Sequence, residues 1–275
     1  MKFNLRPYSI EVIERPEREL GTRKRRKIVT ELTRVARASH FGPKMTEKDV
    51  AMHVLPVDEL FIIRQNGRAV GFSSNQHLHL PSGKMLYLAG TAIEKESTGS
   101  GLYNLIRPFS VLYALSRGAE FQHVGSRTQN PIVYASLAKA GLHPRISGEK
   151  VPAEFVNVAA HLANHLSPGK KFDRETLMIR AAYDRPLYDE MPQHRDAAVN
   201  RFVYDRFLSN LDALLIVGEL DRPRMEELFS TAAGGINKKE ALKILANLRA
   251  RHEPKLANYP FAKFVVKLLN LFNLP

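Results

Sequence analysis

Residues 85–93 read Met-Leu-Tyr-Leu-Ala-Gly-Thr-Ala-Ile and carry no charge. A strand that is apolar on both faces must be covered on both, which places it at the centre of a sheet with helices packed above and below. Residues 94–101 are polar and contain Gly99 and Gly101. Leu102, Leu105, Ile106, Phe109, Leu112, Tyr113 and Leu115 then recur at helical spacing until Gly118 stops them. Central strand, glycine-bearing turn and amphipathic helix in that order require an α/β architecture.

The flanking segments extend this frame. Residues 59–64 and 69–80 read as two strands joined at Gln65-Asn66-Gly67, where the Asn-Gly pair suits a tight hairpin. Residues 4–13 read as a single first strand. Helices are expected over residues 22–38 and from Thr46, a candidate N-cap, to about Val54. A strand over 121–127 leads to Asn130-Pro131, a helix start in which proline occupies a first-turn position whose N–H has no partner to lose. Gly141 ends that helix. A helical insert over about 152–166 precedes a last strand over 176–182. Beyond Pro192 the pattern reads as wholly helical, with breaks at Pro223, Gly234-Gly235 and Pro254. The expected organisation is a domain over 1–190, with its core at about 45–185, followed by an all-helical C-terminal extension over 191–275.

Composition narrows the classes of function. The chain has no cysteine, which excludes disulfides, thiolate metal sites and cysteine nucleophiles. No His/Asp/Glu spacing argues for a metal. No apolar run reaches the 18 residues of a spanning helix, and the first twenty residues lack a signal-peptide core, so cytoplasmic residence is the expectation. The net charge is +13, and residues 1–44 hold twelve Lys/Arg against five Asp/Glu, densest at Arg23-Lys24-Arg25-Arg26-Lys27. That run reads either as a patch for nucleic acid, anionic lipid or an acidic protein, or as the solvated first turns of a helix. The absence of interleaved aromatics weighs against nucleic acid.

The turn after the central strand has the chemistry of an anion site. The first N–H groups of a helix lack internal partners, and the helix dipole puts partial positive charge there. Glycines allow the backbone close to a bulky anion, and the hydroxyls of Thr98 and Ser100 add donors. Glu96-Ser97-Thr98-Gly99-Ser100-Gly101 resembles the Gln/Arg-x-x-Gly-x-Gly/Ala signature of the GNAT N-acyltransferase superfamily, with Glu96 at the Gln/Arg position. A second match lies downstream, where Asn130, Lys139, Gly141 and Leu142 keep the offsets of the family's next helix. The resemblance covers about 140 residues.

The resemblance implies a mixed, largely antiparallel central sheet flanked by helices. It also implies acetyl-CoA or another acyl-CoA as co-substrate, without a metal, held by Ala92, Ile93, Ser97, Thr98, Gly99, Ser100, Gly101, Leu102 and Asn130. The reaction implied is direct transfer of an acyl group, acetyl first among them, to a primary amine of a small molecule or protein. Two alternatives stand beside it: a catalytically altered binding or regulatory protein, and a transferase using a longer chain carried on CoA or an acidic acyl carrier protein. The family's leaving-group tyrosine position holds Leu137, which leaves Tyr134 as the candidate acid. No carboxylate lies on the 85–93 strand; Glu94 and Glu96 fall in the turn. Ser73, Asn75, His77 and His79 alternate on one strand face that either lines a cleft or meets water, making His77 the first candidate base, ahead of His79 and His123.

Residues 259–274 form an apolar stripe at helical spacing, too short to span a bilayer. It reads as a membrane-surface or acyl-chain-covering helix, or as one docked on its own domain or on the mate of a homodimer.

Overall fold

The computed structural model describes residues 1–97, 100–118 and 120–256, the last five as backbone only. Thr98, Gly99 and the expected 259–274 helix lie outside the described residues. In chain order the elements are β1 Lys2–Leu5, β2 Tyr8–Glu14, α1 Pro16–Glu19, α2 Thr22–Arg37, α3 Glu47–Val54, β3 Glu59–Gln65, β4 Arg68–Leu80 and β5 Gly83–Ile93. There follow α4 Leu102–Ser116, β6 His123–Thr128, α5 Pro131–Lys139, α6 Ala153–Leu166, β7 Phe172–Asp173, β8 Met178–Ile179, α7 Ala197–Tyr204, β9 Ala213–Glu219 and α8 Arg222–Leu256. Among the described residues the strands form one sheet in the order β1-β2-β3-β4-β5-β6-β9-β8-β7. Only β5 and β6 pair in parallel. The fold is α/β with a mixed, largely antiparallel sheet flanked by helices.

Local chemistry accounts for the better-marked elements. Thr46 caps α3 in a reciprocal box with Asp49. Asn66 and Gly67 both take positive φ, 51° and 83°, in the β3–β4 turn. Asn130 caps α5, its Oδ1 accepting from the Ile132 N–H at 2.8 Å. On one face of the sheet, Val29, Leu32, Val35 and Ala36 of α2 pack with Val50 and Val54 of α3 against Leu60, Ile62 and Phe72. On the other, α4 is buried nearly all round, between the sheet and α8. The basic run opens α2, with Arg23, Lys24, Arg26 and Lys27 exposed.

Three expectations are corrected. The first strand is two, because Pro7 has no N–H for a ladder and sits in the turn between β1 and β2. The segment after Pro192 is not all helical: Ala213–Glu219 is a strand, buried through Gly218, inserted between β6 and β8. Its run Ala-Leu-Leu-Ile-Val fits a buried strand and a buried helix equally on periodicity, and the open edge of β6 decides between them. Finally, the interruption of α8 falls at Asn237, with φ −159° and ψ 93°, rather than at Gly234-Gly235.

Candidate functional site

The parallel pair β5–β6 is hydrogen-bonded only at Met85–His123, Leu86–Val124 and Tyr87–Gly125. Both strands continue, β5 to Ile93 against β4 and β6 to Thr128 against β9, but no longer against each other. They diverge into a notch. The Ser126 hydroxyl, donating to the Leu88 carbonyl at 3.0 Å, spans its narrow end. A bulge marks the same level, since Ser74 faces Gly90 while Asn75 faces Leu88, leaving Ala89 as the extra residue of β5.

Strand alternation tells which backbone groups the notch receives. The Glu94 N–H donates to Val70 on the β4 side, so Ala92, two residues earlier, also directs its backbone to β4. Thr91 and Ile93 direct theirs toward β6, where no strand meets them. Of the two strand residues expected to hold a cofactor, Ile93 directs its backbone into the notch, as Thr91 does, and Ala92 does not; Ala92 is packed in the core.

The turn at the end of β5 is fixed from behind. The buried Glu94 carboxylate is paired with Arg34, which also donates to the Ala69 carbonyl, and with Arg68 at 3.0 Å. The Lys95 N–H donates to the Ala38 carbonyl at 2.9 Å. Ser97 closes a short turn onto Glu94, and Ser100 directs its hydroxyl to the Ser97 carbonyl at 2.6 Å rather than outward. Gly101, at φ 78°, is the N-cap of α4, and among the described residues no side chain caps that end. The first intrahelical bond runs from Leu105 to Gly101, which leaves the N–H groups of Leu102, Tyr103 and Asn104 without helical partners. Leu102's side chain is buried in the core, so its backbone is what it offers. Glu96 is exposed.

The acid–base residues expected from sequence are not gathered at the notch. The strip Ser73, Asn75, His77 does not line the notch, although its far end at His77 is partly exposed and borders a surface pocket with His79 and Phe121. It lies under α4, with Ser73 bonded to Thr91 at 2.9 Å and Asn75 donating to the Ser110 carbonyl at 3.1 Å. His77 pairs with Leu86, near the C-terminal end of α4. A fifteen-residue helix is about 22 Å long, so His77 is far from the α4 N-terminus. Its Nε2 lies 2.8 Å from buried Glu59 Oε1, and its ring packs edge-on to Phe121. Burial opposes the His77 charge, but Glu59 outweighs it and raises the pKa. Tyr134 is 1% exposed, donates its hydroxyl to the Pro144 carbonyl and stacks on Phe202. Burial pushes its pKa up. His123 Nε2 is bonded to the Ser82 carbonyl, and His79 is exposed.

Three groups at the notch were not singled out from sequence. His53 of α3 stands beside Gly90, and its backbone carbonyl accepts from Ser74. The residue is exposed, yet protein crowds the ring; burial, then the Arg127 charge, lower its pKa against the pull of Asp49. Arg127 of β6 lies 4.7 Å over the Tyr183 ring and donates to the Ser167 hydroxyl. The third group is the segment 183–189. Tyr183 is bonded to Leu211 ahead of β9, whereas Tyr188 stacks on Phe41, Arg185 pairs with Asp49 and Lys44 with Asp189 at 2.6 Å. This strap thus runs from the β9 side of the notch to the α2–α3 side. Nothing in residue spacing marks these groups, which are 56 to 136 residues apart and meet only once the sheet is assembled. No cluster of three His, Asp or Glu able to hold a metal occurs among the described residues.

No protein-family model and no curated protein matches the sequence. Among solved structures the chain is similar to the ribosomal-protein-S18-alanine N-acetyltransferase from Escherichia coli, at 12% identity and TM-score 0.42 over 77% of this chain and 94% of that one. It is also similar to an IAA acetyltransferase from Bacillus cereus ATCC 14579, at 12% identity and TM-score 0.39 over 77% and 99%. A GNAT family N-acetyltransferase from Escherichia coli in complex with CoA aligns at 12% identity and TM-score 0.34, over 49% and 67%.

Proposed function

We propose that this chain is an N-acyltransferase of GNAT type, which takes an acyl group from acyl-CoA and passes it directly to a primary amine. The observation that carries the reading is the notch: two parallel strands that part after three paired residues and end beside an uncapped helix N-terminus. An extended chain bearing amides, such as pantetheine, can enter the gap and bond to the Thr91 and Ile93 backbone as a strand would. Its diphosphate then reaches the free N–H groups at the start of α4, where the dipole favours negative charge.

The chemistry follows from that placement. With the donor extended along β5, its thioester lies near the Ala89–Gly90 bulge. The Gly90 N–H is donated to Ser74 Oγ at 3.2 Å, so the Ala89 N–H is the one proposed for the oxyanion that forms as the amine attacks. The acceptor arrives as an ammonium ion and must lose a proton first. His53 beside Gly90, its pKa lowered by burial and the Arg127 charge, is the candidate base. Tyr134 is not proposed as the acid, because its hydroxyl is already committed to Pro144.

A second reading has one observation in its favour: the position from which the family protonates the leaving sulfur holds Leu137, and Tyr134 does not replace it. That reading is an acyl-CoA-binding regulator. One experiment separates the two. Acetyl-CoA and longer acyl-CoAs are titrated calorimetrically, and thiol release is then followed with a panel of primary amines. Binding with amine-dependent thiol release is the expected result. Binding without release favours the regulator, and no binding refutes both.

A further inference from the structure

On the α4 face of the sheet, the space between α4, α5 and α8 holds a cavity of ≈ 190 Å³. Leu88 and Val124 form its floor, and Val111, Leu137, Leu142 and Leu228 are among its walls. Into this apolar lining α4 places Arg107, only 5% exposed. Its Nε donates to the Tyr103 hydroxyl at 3.2 Å, while its Nη1 is buried and donates to nothing among the described residues. No carboxylate of the described residues pairs with it there. The acids beside the cavity-lining residues of α8 are engaged elsewhere, Glu226 by Arg222 and Arg249 and Glu227 by Arg224.

A guanidinium cannot relieve burial by losing its proton. Withdrawn from water without an anion it is costly, and the cost disappears only when an anion arrives. Lys139 also borders the cavity but is exposed, so Arg107 is the buried cation, and apolar walls around it select an organic monoanion. A planar carboxylate matches the guanidinium fork, whereas a dianion would leave charge uncompensated. Size sets the rest. A cavity of about 150 Å³ accepts benzene, so this one has room for a body of that size and a carboxylate. We propose that the cavity is a binding site for a small monocarboxylate with an apolar body of about six carbons, with Arg107 as its counter-ion. Arg107 and the apolar walls lie behind β5 and β6, away from His53 and the α2–α3 face, although Asn104 and Leu137 of the lining adjoin the proposed donor site.

The test uses the full chain and four probes, benzoate and hexanoate against benzyl alcohol and hexanol, by calorimetry and thermal shift. Saturable one-to-one binding of the carboxylates, at least tenfold tighter than the alcohols and lost in Arg107→Met, is expected. Leu228→Phe, which fills the cavity and leaves Arg107 in place, should abolish binding too, so a misfolded Arg107 variant does not end the test. Equal affinity for the alcohols, carboxylate binding that survives both substitutions, or no binding at all overturns the proposal. Displacement of benzoate by CoA also overturns the proposal, by making the cavity part of the donor site. Loss of acyl transfer with benzoate binding intact would refute only the transferase.

Discussion

Glu94→Gln is the substitution that best tests how the anion turn is held. The Glu94 side chain is 3% exposed, and one carboxylate oxygen takes both Arg34 and Arg68, whose side chains are 40% and 57% exposed. Two charge-assisted hydrogen bonds would each contribute roughly 1.5–3 kcal/mol if fully shielded. Solvation and screening at the arginine ends reduce this, giving about 2 kcal/mol for the pair together. For a protein of this size that lowers Tm by about 4–8 °C. Glutamine keeps the shape, so the sheet survives while the turn loosens, and CoA affinity should fall by about tenfold, or about 1.4 kcal/mol. Urea denaturation and CoA calorimetry on wild type, Glu94→Gln, Arg68→Met and the double variant measure both effects and their coupling. A Gln variant with wild-type stability and CoA affinity would refute the idea that this carboxylate braces the turn.

Four further outcomes are expected. His53→Gln should lower amine acylation by about 100-fold or more while leaving CoA affinity unchanged, and should shift the acidic limb of the pH–rate profile. Gly101→Ala meets open space but forces a left-handed φ of 78° on a residue with a Cβ, costing about 1–2 kcal/mol in stability and weakening CoA binding. Leu215→Ala, at a fully buried position of β9, should cost about 2–5 kcal/mol by denaturant titration. The last concerns pH. Because the folded pKa of His77 is raised, its stabilising pairing with Glu59 is present below the ordinary imidazole value of about 6.5 and is lost as pH rises through the folded value. The stability advantage of wild type over Glu59→Gln should therefore narrow between about pH 6 and pH 9; an advantage that grows over that interval contradicts the pairing.

Local signals were readable where local chemistry decides. The uncharged run at 85–93, the Thr46 cap, the Asn66-Gly67 hairpin and the Asn130 cap each depend on neighbours a few residues away, and all appear as expected. What escaped depends on partners far along the chain. Ala213–Glu219 is a strand because β6 offers an edge ninety residues earlier. Thr91 turns its backbone to the notch and Ala92 does not because the register with β4 fixes which way each amide points. His77 looked chemically suitable, yet its strand end is opposite the notch. His53 drew no notice because only the packed sheet brings α3 beside Gly90.

The insertion of β9 also has a consequence for synthesis. Until residue 219 has left the ribosome, β6 presents a bare row of amides and carbonyls, and β8 has no neighbour joining it to the sheet. A nascent chain ending near residue 190 is therefore an unfinished sheet and an invitation to other strands. Truncation there should yield insoluble protein rather than a smaller folded one.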